Sequence, residues 1–326
     1  MKRVGCAGIL VKDTFCGPMA ALPRPGELVS VSAMPVMAGG CAANVALDLV
    51  RQGIRVDLAG CVGQDSAAAT LIKTLEDRGV DCTRITRTPV RPTSETVILL
   101  VEGEDRRYIH SFGANQVFDI SALPRTWLAG LSVFYLGGLF AMPAVRADEL
   151  QDLLEFCRAQ GVLTVVDVVV PENFSALTNL KNLLPYVDWF LPNDTEAAIF
   201  TGLSEPVQAV ARLCDWGATN VVITLGNRGA LAASAGRLWE CGAYHWNAVD
   251  PSGAGDAFAS GLITGLLHGW QLPHILRYAS ALGASATRAI GTTVSVFTFA
   301  EAQAQVEKEP VAVHLISQSL EAKNEF

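Results

Sequence analysis

Apolar positions along this chain fall into two alternating kinds of run. The short ones, "RVGCAGILV" near the start and later "VLTVVDVVV", "VDWFLP" and "NVVITLG", are nearly continuous in apolarity and rich in β-branched residues. Strands buried on both faces of a parallel sheet have that pattern. "IRVDLAG" alternates as a strand does. Between these runs lie longer stretches with helical spacing. In "CAANVALDLVRQG" the apolar residues at 42, 45, 46, 49 and 50 mark one face, and Gly53 follows as a stop. "DSAAATLIKTLEDRG" opens on Asp65 as an N-cap and ends at Gly79. This alternation predicts an α/β fold, a doubly wound and mostly parallel sheet with helices on both faces.

Two segments break the rhythm. Residues 12–37 are rich in Pro and Gly, and residues 92–112 read as two strands joined by the turn "EGED". Both are expected to be antiparallel and to build a small sheet projecting from the main one. No internal repeat or composition shift marks a second domain. One domain is therefore expected over residues 1–310, with 311–326 as a C-terminal tail.

Half of the 326 residues are hydrophobic and only 17% are charged, which fits a well-buried globular body. The net charge of −8 and the lack of a basic stripe argue against nucleic acid as a partner. Eight cysteines are scattered without a C-x-x-C pair, and the five histidines offer no zinc spacing, so the thiols read as reduced and buried. "TWLAGLSVFYLGGLFAMPAV" (126–145) has twenty uncharged residues, enough in length for a bilayer. Its Gly-Gly pair, its proline and its "VFYL" core favour a buried strand leading into a loop. Asp13 cuts the first apolar stretch short and no cleavage site follows, so it reads as a strand and not a signal peptide. A soluble, cytoplasmic protein with no membrane partner is expected.

The stretch "DPSGAGDAFASGLITGL" (250–266) raises the question of chemistry. Gly253 to Gly255 would sit at a helix N-terminus, where unpaired N–H groups and the helix dipole suit a phosphoryl group gaining charge. Asp256 in the same first turn would stay ionised and could take a proton from a hydroxyl. An acidic residue near a helix start is also routine capping, and this stretch alone leaves both readings open. There is no G-x-x-x-x-G-K-[ST] loop, no H-R-D or D-F-G, and no G-x-G-x-x-G after the first strand.

Further motifs follow in a definite order: "VGCAGILVKD" ending at Asp13, "GGCAAN" (39–44), "GCVGQD" (60–65), "GAN" (113–115), "PNDTEA" (192–197), "TLGNRG" (224–229) and "DPSGAGD". Along nearly its whole length the chain thereby resembles the ribokinase/PfkB family of small-molecule kinases. The resemblance implies a ribokinase-like three-layer α/β/α fold whose small inserted β-sheet, from 12–37 and 92–112, serves as a lid. It implies ATP- and Mg²⁺-dependent phosphorylation of a sugar hydroxyl. Asp256 would be the general base, and the amides of Gly253, Ala254 and Gly255 the anion hole. Asn193 and Glu196 would hold Mg²⁺ through waters. Thr224, Gly226 and Gly229 would line the nucleotide pocket, and Asp13, Gly40 and Asn44 would bind sugar hydroxyls. "EDRRYIH" reads as a solvated hairpin, with contact of Arg107 or His110 to substrate as the alternative. Some members bind a monovalent cation such as K⁺, and Asp250, Ser252, Gly291 and Ser295 fall in matching places. A homodimer would form through the lid, whose strand edges need covering.

Three departures bear on the substrate. Cys41 stands where ribokinases carry lysine, "LGGLF" lacks the glutamate that they place against the sugar, and Pro251 replaces the usual threonine. Losing two polar partners argues for a fructose-like or keto-deoxy sugar over ribose. A nucleoside kinase of the same fold is the alternative, as is a catalytically silent sugar- or nucleotide-binding regulator. The intact GAGD and N-x-x-E argue against the silent regulator.

Overall fold

The computed structural model describes residues 2–104, 106–170 and 177–318. Seven strands run parallel in the spatial order β5 (Asp81–Thr88), β4 (Arg55–Gly63), β1 (Arg3–Gly8), β8 (Val133–Leu139), β9 (Leu163–Val168), β10 (Trp189–Leu191) and β11 (Asn220–Thr224). Three antiparallel strands extend this sheet: β12 (Ala230–Ser234), β13 (Arg237–Cys241) and β14 (Val313–Ser317). The last of them lies beyond the expected boundary at 310, so the start of the supposed tail is an edge strand of the main sheet. The order reverses between β1 and β8, which opens a crevice at the carboxyl ends of the strands.

Strand alternation sorts the core into two layers. Phe134 and Leu136 point into one, with the helices 147–159, 177–183, 194–201 and 206–215. Val133 and Tyr135 point into the other, with the helices 41–51, 66–76, 254–268 and 272–286. The uncharged run 126–145 is accounted for by this burial: β8 is buried along its whole length. Among the described residues no helix is long and apolar enough to cross a membrane.

The small sheet has the order β3 (Val36–Gly39), β2 (Val11–Met19), β6 (Glu95–Val101) and β7 (Arg107–Ser111). Each insertion pairs antiparallel within itself, as expected, but β2 and β6 pair parallel, so the sheet is mixed. The reason is topological. β2 leaves β1 after two residues, while β6 arrives from β5, two strands away in the sheet, and both climb from the same end of the parallel core. Asn115 pins this crossing with two 3.0 Å hydrogen bonds, its Oδ1 accepting from Leu10 N and its Nδ2 donating to Leu10 O. Asp65 ties the second insertion to the core. It caps the helix 66–76 through Ala68 N and also accepts from the amide and hydroxyl of Thr93.

Candidate active site

Two cavities open on the crevice. The first, about 480 Å³, lies under the small sheet and is walled by Asp13, Cys41, Asp167, Glu196 and the loop 251–256. The second, about 450 Å³, lies over β11 and is walled by Thr224, Gly226, Gly229, Tyr244, Trp246 and Gly283. They share Thr224, Pro251, Ala254, Gly255 and Phe258, so they meet at the amino end of the helix Ala254–His268.

That helix begins on Gly253 in the left-handed region, φ 77°. A Cβ there would overlap the carbonyl of Thr292, which makes glycine the residue the turn accepts. Gly255 is different: a Cβ would meet no protein atom and would project into open space. Asp256 follows in the first turn, where the helix dipole favours its charge.

Asp256 Oδ2 accepts from Asn44 Nδ2 at 2.7 Å, and Asn44 Oδ1 accepts from Thr292 Oγ1 at 2.8 Å. Asn44 is buried and does not reach the cavity wall. Its amide, expected to meet a sugar hydroxyl, is bonded at each end to protein, to Asp256 and to Thr292. Gly40 does line the cavity; it takes φ 89° just before the helix 41–51, and a Cβ would overlap the carbonyl of Ile9. Asp13 packs its carboxylate on Gly39, where a Cβ would collide with it.

Carboxylates crowd the floor of the first cavity. Atoms of Cys41, Asp167 and Asp256 lie within 4.8 Å of one another. Burial, with the Asp256 and Asp250 charges, pushes Asp13 up to about 7. Burial and the charge of Asp256 likewise push Glu196 up to about 7. Burial raises Asp256, and hydrogen bonds from Asn44 and Cys41 partly counter it. Asp167 is raised by burial and by its neighbours Asp256 and Glu196, while Tyr135 Oη donates to its Oδ2 at 3.0 Å. Like charges held this close favour a cation among them, and hard carboxylate oxygens suit Mg²⁺. The Cys41 thiol contributes nothing to such an ion.

Asn193 and Glu196 form a capping box on the helix Asp194–Thr201. Asn193 Oδ1 accepts from Glu196 N and Glu196 Oε2 from Asn193 N, both at 2.9 Å. Both side chains stand on the first cavity's wall, so a cap and a cavity-facing pair coexist. Thr224, Gly226 and Gly229 all line the second cavity. Asp250 organises the loop ahead of the glycines: Oδ1 accepts from Ser252 N at 2.9 Å and Oδ2 from Gly291 N at 3.0 Å. Ser295 stands apart from these three, its hydroxyl donating to Ser285 O and Ala286 O and its carbonyl accepting from Arg288.

Three groups of site residues escaped the sequence reading. Asp167 is the sole charge in "TVVDVVV", at the carboxyl end of a buried strand, and that isolation was the available signal. Tyr244 and Trp246, with ring centroids 5.1 Å apart, line the second cavity from an irregular segment that carries no motif. On the small sheet, Arg106 and Tyr108 join His110, which the sequence reading did name, in lining the first cavity. Arg107 does not; it pairs with Glu104 outside. Residues 107 and 110 are an odd number apart, so a strand cannot turn both inward.

A doubly wound sheet with two cavities meeting at a glycine-rich helix start defines a class of α/β proteins with adjoining clefts at the carboxyl ends of the strands. Within that class the chain belongs to the pfkB family of carbohydrate kinases, whose model matches residues 1–298. It is 24% identical over 280 residues to a ribokinase of Haemophilus influenzae, covering 84% of this chain and 89% of the relative. It is 28% identical over 280 residues to the 2-dehydro-3-deoxygluconokinase of Bacillus subtilis, covering 82% and 85%. Among solved structures, Arabidopsis thaliana ribokinase complexed with ribose and ATP superposes with a TM-score of 0.79 at 21% identity, over 94% of this chain and 98% of that one. Fructokinase from Xylella fastidiosa with bound ATP gives 0.78 at 19% identity, over 94% and 98%.

Proposed function

We propose that this protein transfers the γ-phosphoryl group of ATP to a hydroxyl of a sugar-like substrate. The observation that carries the reading is the junction of the two cavities at Gly253–Asp256. Sugar occupies the cavity under the lid and nucleotide the one over β11. The acceptor hydroxyl then faces Asp256 while the phosphates reach the amides of Gly253, Ala254 and Gly255. Asp256 takes the hydroxyl proton, its carboxylate aimed by Asn44. The helix-start amides stabilise charge on the transferring group, which needs electrostatic more than covalent help. Asn193 and Glu196, with Asp167 beside them, are the residues to hold Mg²⁺ through its water shell. When bound, that ion would neutralise charge on the phosphate oxygens. Asp13 and the Gly40 turn receive sugar hydroxyls, and Thr224, Gly226 and Gly229 contact the nucleotide. The lid excludes water and limits ATP hydrolysis.

This reading is favoured over a silent regulator because base, glycine turn and carboxylate pair all stand on one continuous cavity wall. A nucleoside acceptor is the second outcome that the same assay reads. The assay is ADP release over sugars, sugar acids and nucleosides with Mg²⁺, run with and without K⁺ to read a requirement at Asp250, Ser252 and Gly291. Asp256→Asn should cut turnover roughly 10²–10⁴-fold, the share of a general base, while ADP affinity by calorimetry stays within about threefold of wild type. Near-normal turnover in the variant would remove Asp256 from the mechanism.

A second copy covering the lid also belongs to this reading. Ile109 and Phe112 are exposed on the outermost strand and just past it. Light scattering should show a dimer, and Ile109→Lys should shift it toward monomer. An unchanged mass would place the contact elsewhere.

A further inference from the structure

The lid's inner face carries a charge pattern of which only Asp13 has a role so far. Register aligns Asp13 on β2 with Thr96 on β6, and Thr96 with His110 on β7. The next row aligns Phe15 with Ile98 and Ile98 with Tyr108. Successive side chains on a strand point to opposite faces, so residues 106, 108 and 110 form one column, and all three stand on the wall of the first cavity. From β2 to β7 the ceiling passes from a carboxylate through a hydroxyl and an aliphatic group to imidazole, phenol and guanidinium. Adjacent strands lie about 4.8 Å apart, so the two poles are separated by roughly 10 Å. That is close to a six-carbon chain with a hydrogen bond at each end.

The basic pole is organised. Arg106 Nε donates to Tyr108 Oη, and the guanidinium lies 5.6 Å from the Tyr108 ring centroid. His110 Nδ1 and Thr96 Oγ1 are 2.9 Å apart. Arg106 Nη1 also makes an ion pair with Asp250 Oδ1 at 3.7 Å, and each Asp250 oxygen accepts a backbone N–H. Arg106 is the one lysine or arginine among the described residues lining this cavity. The carboxylates of Asp13, Asp167, Glu196 and Asp256 occupy the other parts of the wall. An anionic group entering here is repelled from the floor and from the β2 side, and drawn to the β7 edge.

Resting on the sugar-kinase reading, we propose that the substrate is a sugar acid whose carboxylate is received by Arg106, Tyr108 and His110, with Asp13 holding hydroxyls at the opposite pole. Guanidinium–carboxylate pairs are charge-assisted and bidentate, which fixes orientation as well as adding affinity. The end of the substrate remote from its carboxylate is thereby presented to Asp256.

A matched pair of compounds tests this. 2-Keto-D-gluconate and D-fructose share every stereocentre and differ only at C1, carboxylate against hydroxymethyl. The acid, or its 3-deoxy analogue run beside it, should be phosphorylated with kcat/KM at least about tenfold above fructose. Arg106→Gln should lower kcat/KM for the acid about 10- to 100-fold, chiefly through KM, and bring the acid-to-fructose ratio toward one. Arg106→Lys should recover part of that loss. A preference for fructose, or for any other neutral sugar or a nucleoside, overturns the proposal and leaves the kinase reading standing. Equal loss of kcat on acid and neutral substrates in Arg106→Gln also overturns it, and assigns Arg106 to the transferring phosphoryl group instead. Should nothing be phosphorylated, the kinase reading fails. Calorimetry of 2-keto-D-gluconate and D-fructose on the same protein then decides the proposal alone, tighter binding of the acid supporting it and equal binding overturning it.

Discussion

Asp256 and Asn44 show how one side chain sets another's chemistry. A carboxylate that is buried rises in pKa, and a donor to its charged form lowers it again. The 2.7 Å bond from Asn44 therefore keeps Asp256 more acidic than its surroundings alone would, and holds it in one rotamer. Removing the donor acts on both. Asn44→Ala should reduce kcat about 10- to 100-fold with a smaller change in substrate KM. It should also move the acid limb of the rate profile to higher pH, because the ionised Asp256 carboxylate loses stabilisation. A profile unmoved from wild type would reduce Asn44 to a packing role. Thr292 belongs to the same unit, since it orients the amide through its hydroxyl.

At the scale of elements, the helix Ala254–His268 explains why glycines sit inside a helical run. Gly261 and Gly265 face the helix Leu272–Ala286, and Cβ atoms there would overlap Ala279 and Ile275. Close approach is what the glycines allow, and it offsets their cost of about 1 kcal/mol each in helix propensity. In Gly261→Ala the collision is with the Ala279 backbone, so the helices must separate. A net loss of about 1–3 kcal/mol is expected by urea denaturation; a gain in stability would show that the pair can yield. The capping box on the helix 194–201 is a second case of one segment with two duties. It fixes the N-terminus and holds Asn193 and Glu196 rigidly on the cavity wall.

For the whole molecule, the crowded carboxylates couple ligand to stability. Asp13 and Glu196 titrate near 7 in the fold, above their ordinary values near 4. A carboxyl raised in this way contributes its stabilisation fully below the unfolded value and loses it as pH rises through about 7. The ligand-free protein should therefore melt at a lower temperature at pH 8 than at pH 5.5. Mg²⁺ should restore part of the difference at pH 8 and little at pH 5.5, where these groups hold their protons. Equal melting temperatures at both pH values, with and without Mg²⁺, would detach the cluster from metal binding.

The hydrophobic pattern alone determined the parallel core, because strands buried on both faces must read as continuous apolar runs whatever packs on them. Local chemistry was also legible: Asp65 and Gly53 are cap and stop through bonds to near neighbours, and the ordered motifs placed the glycine turn at Gly253. The tertiary structure decided what depends on partners distant in sequence. Asn44 meets Asp256 across 212 residues, so no local signal could show its amide engaged. Whether Arg106 or Arg107 faces the cavity turned on the exact register of β7, which a short polar strand with weak alternation does not specify. The parallel pairing of β2 with β6, and the place of β14 in the main sheet, follow from how the strands are packed together. Chemistry held within a few residues of chain is written in the sequence, and chemistry assembled across the crevice is decided by the fold.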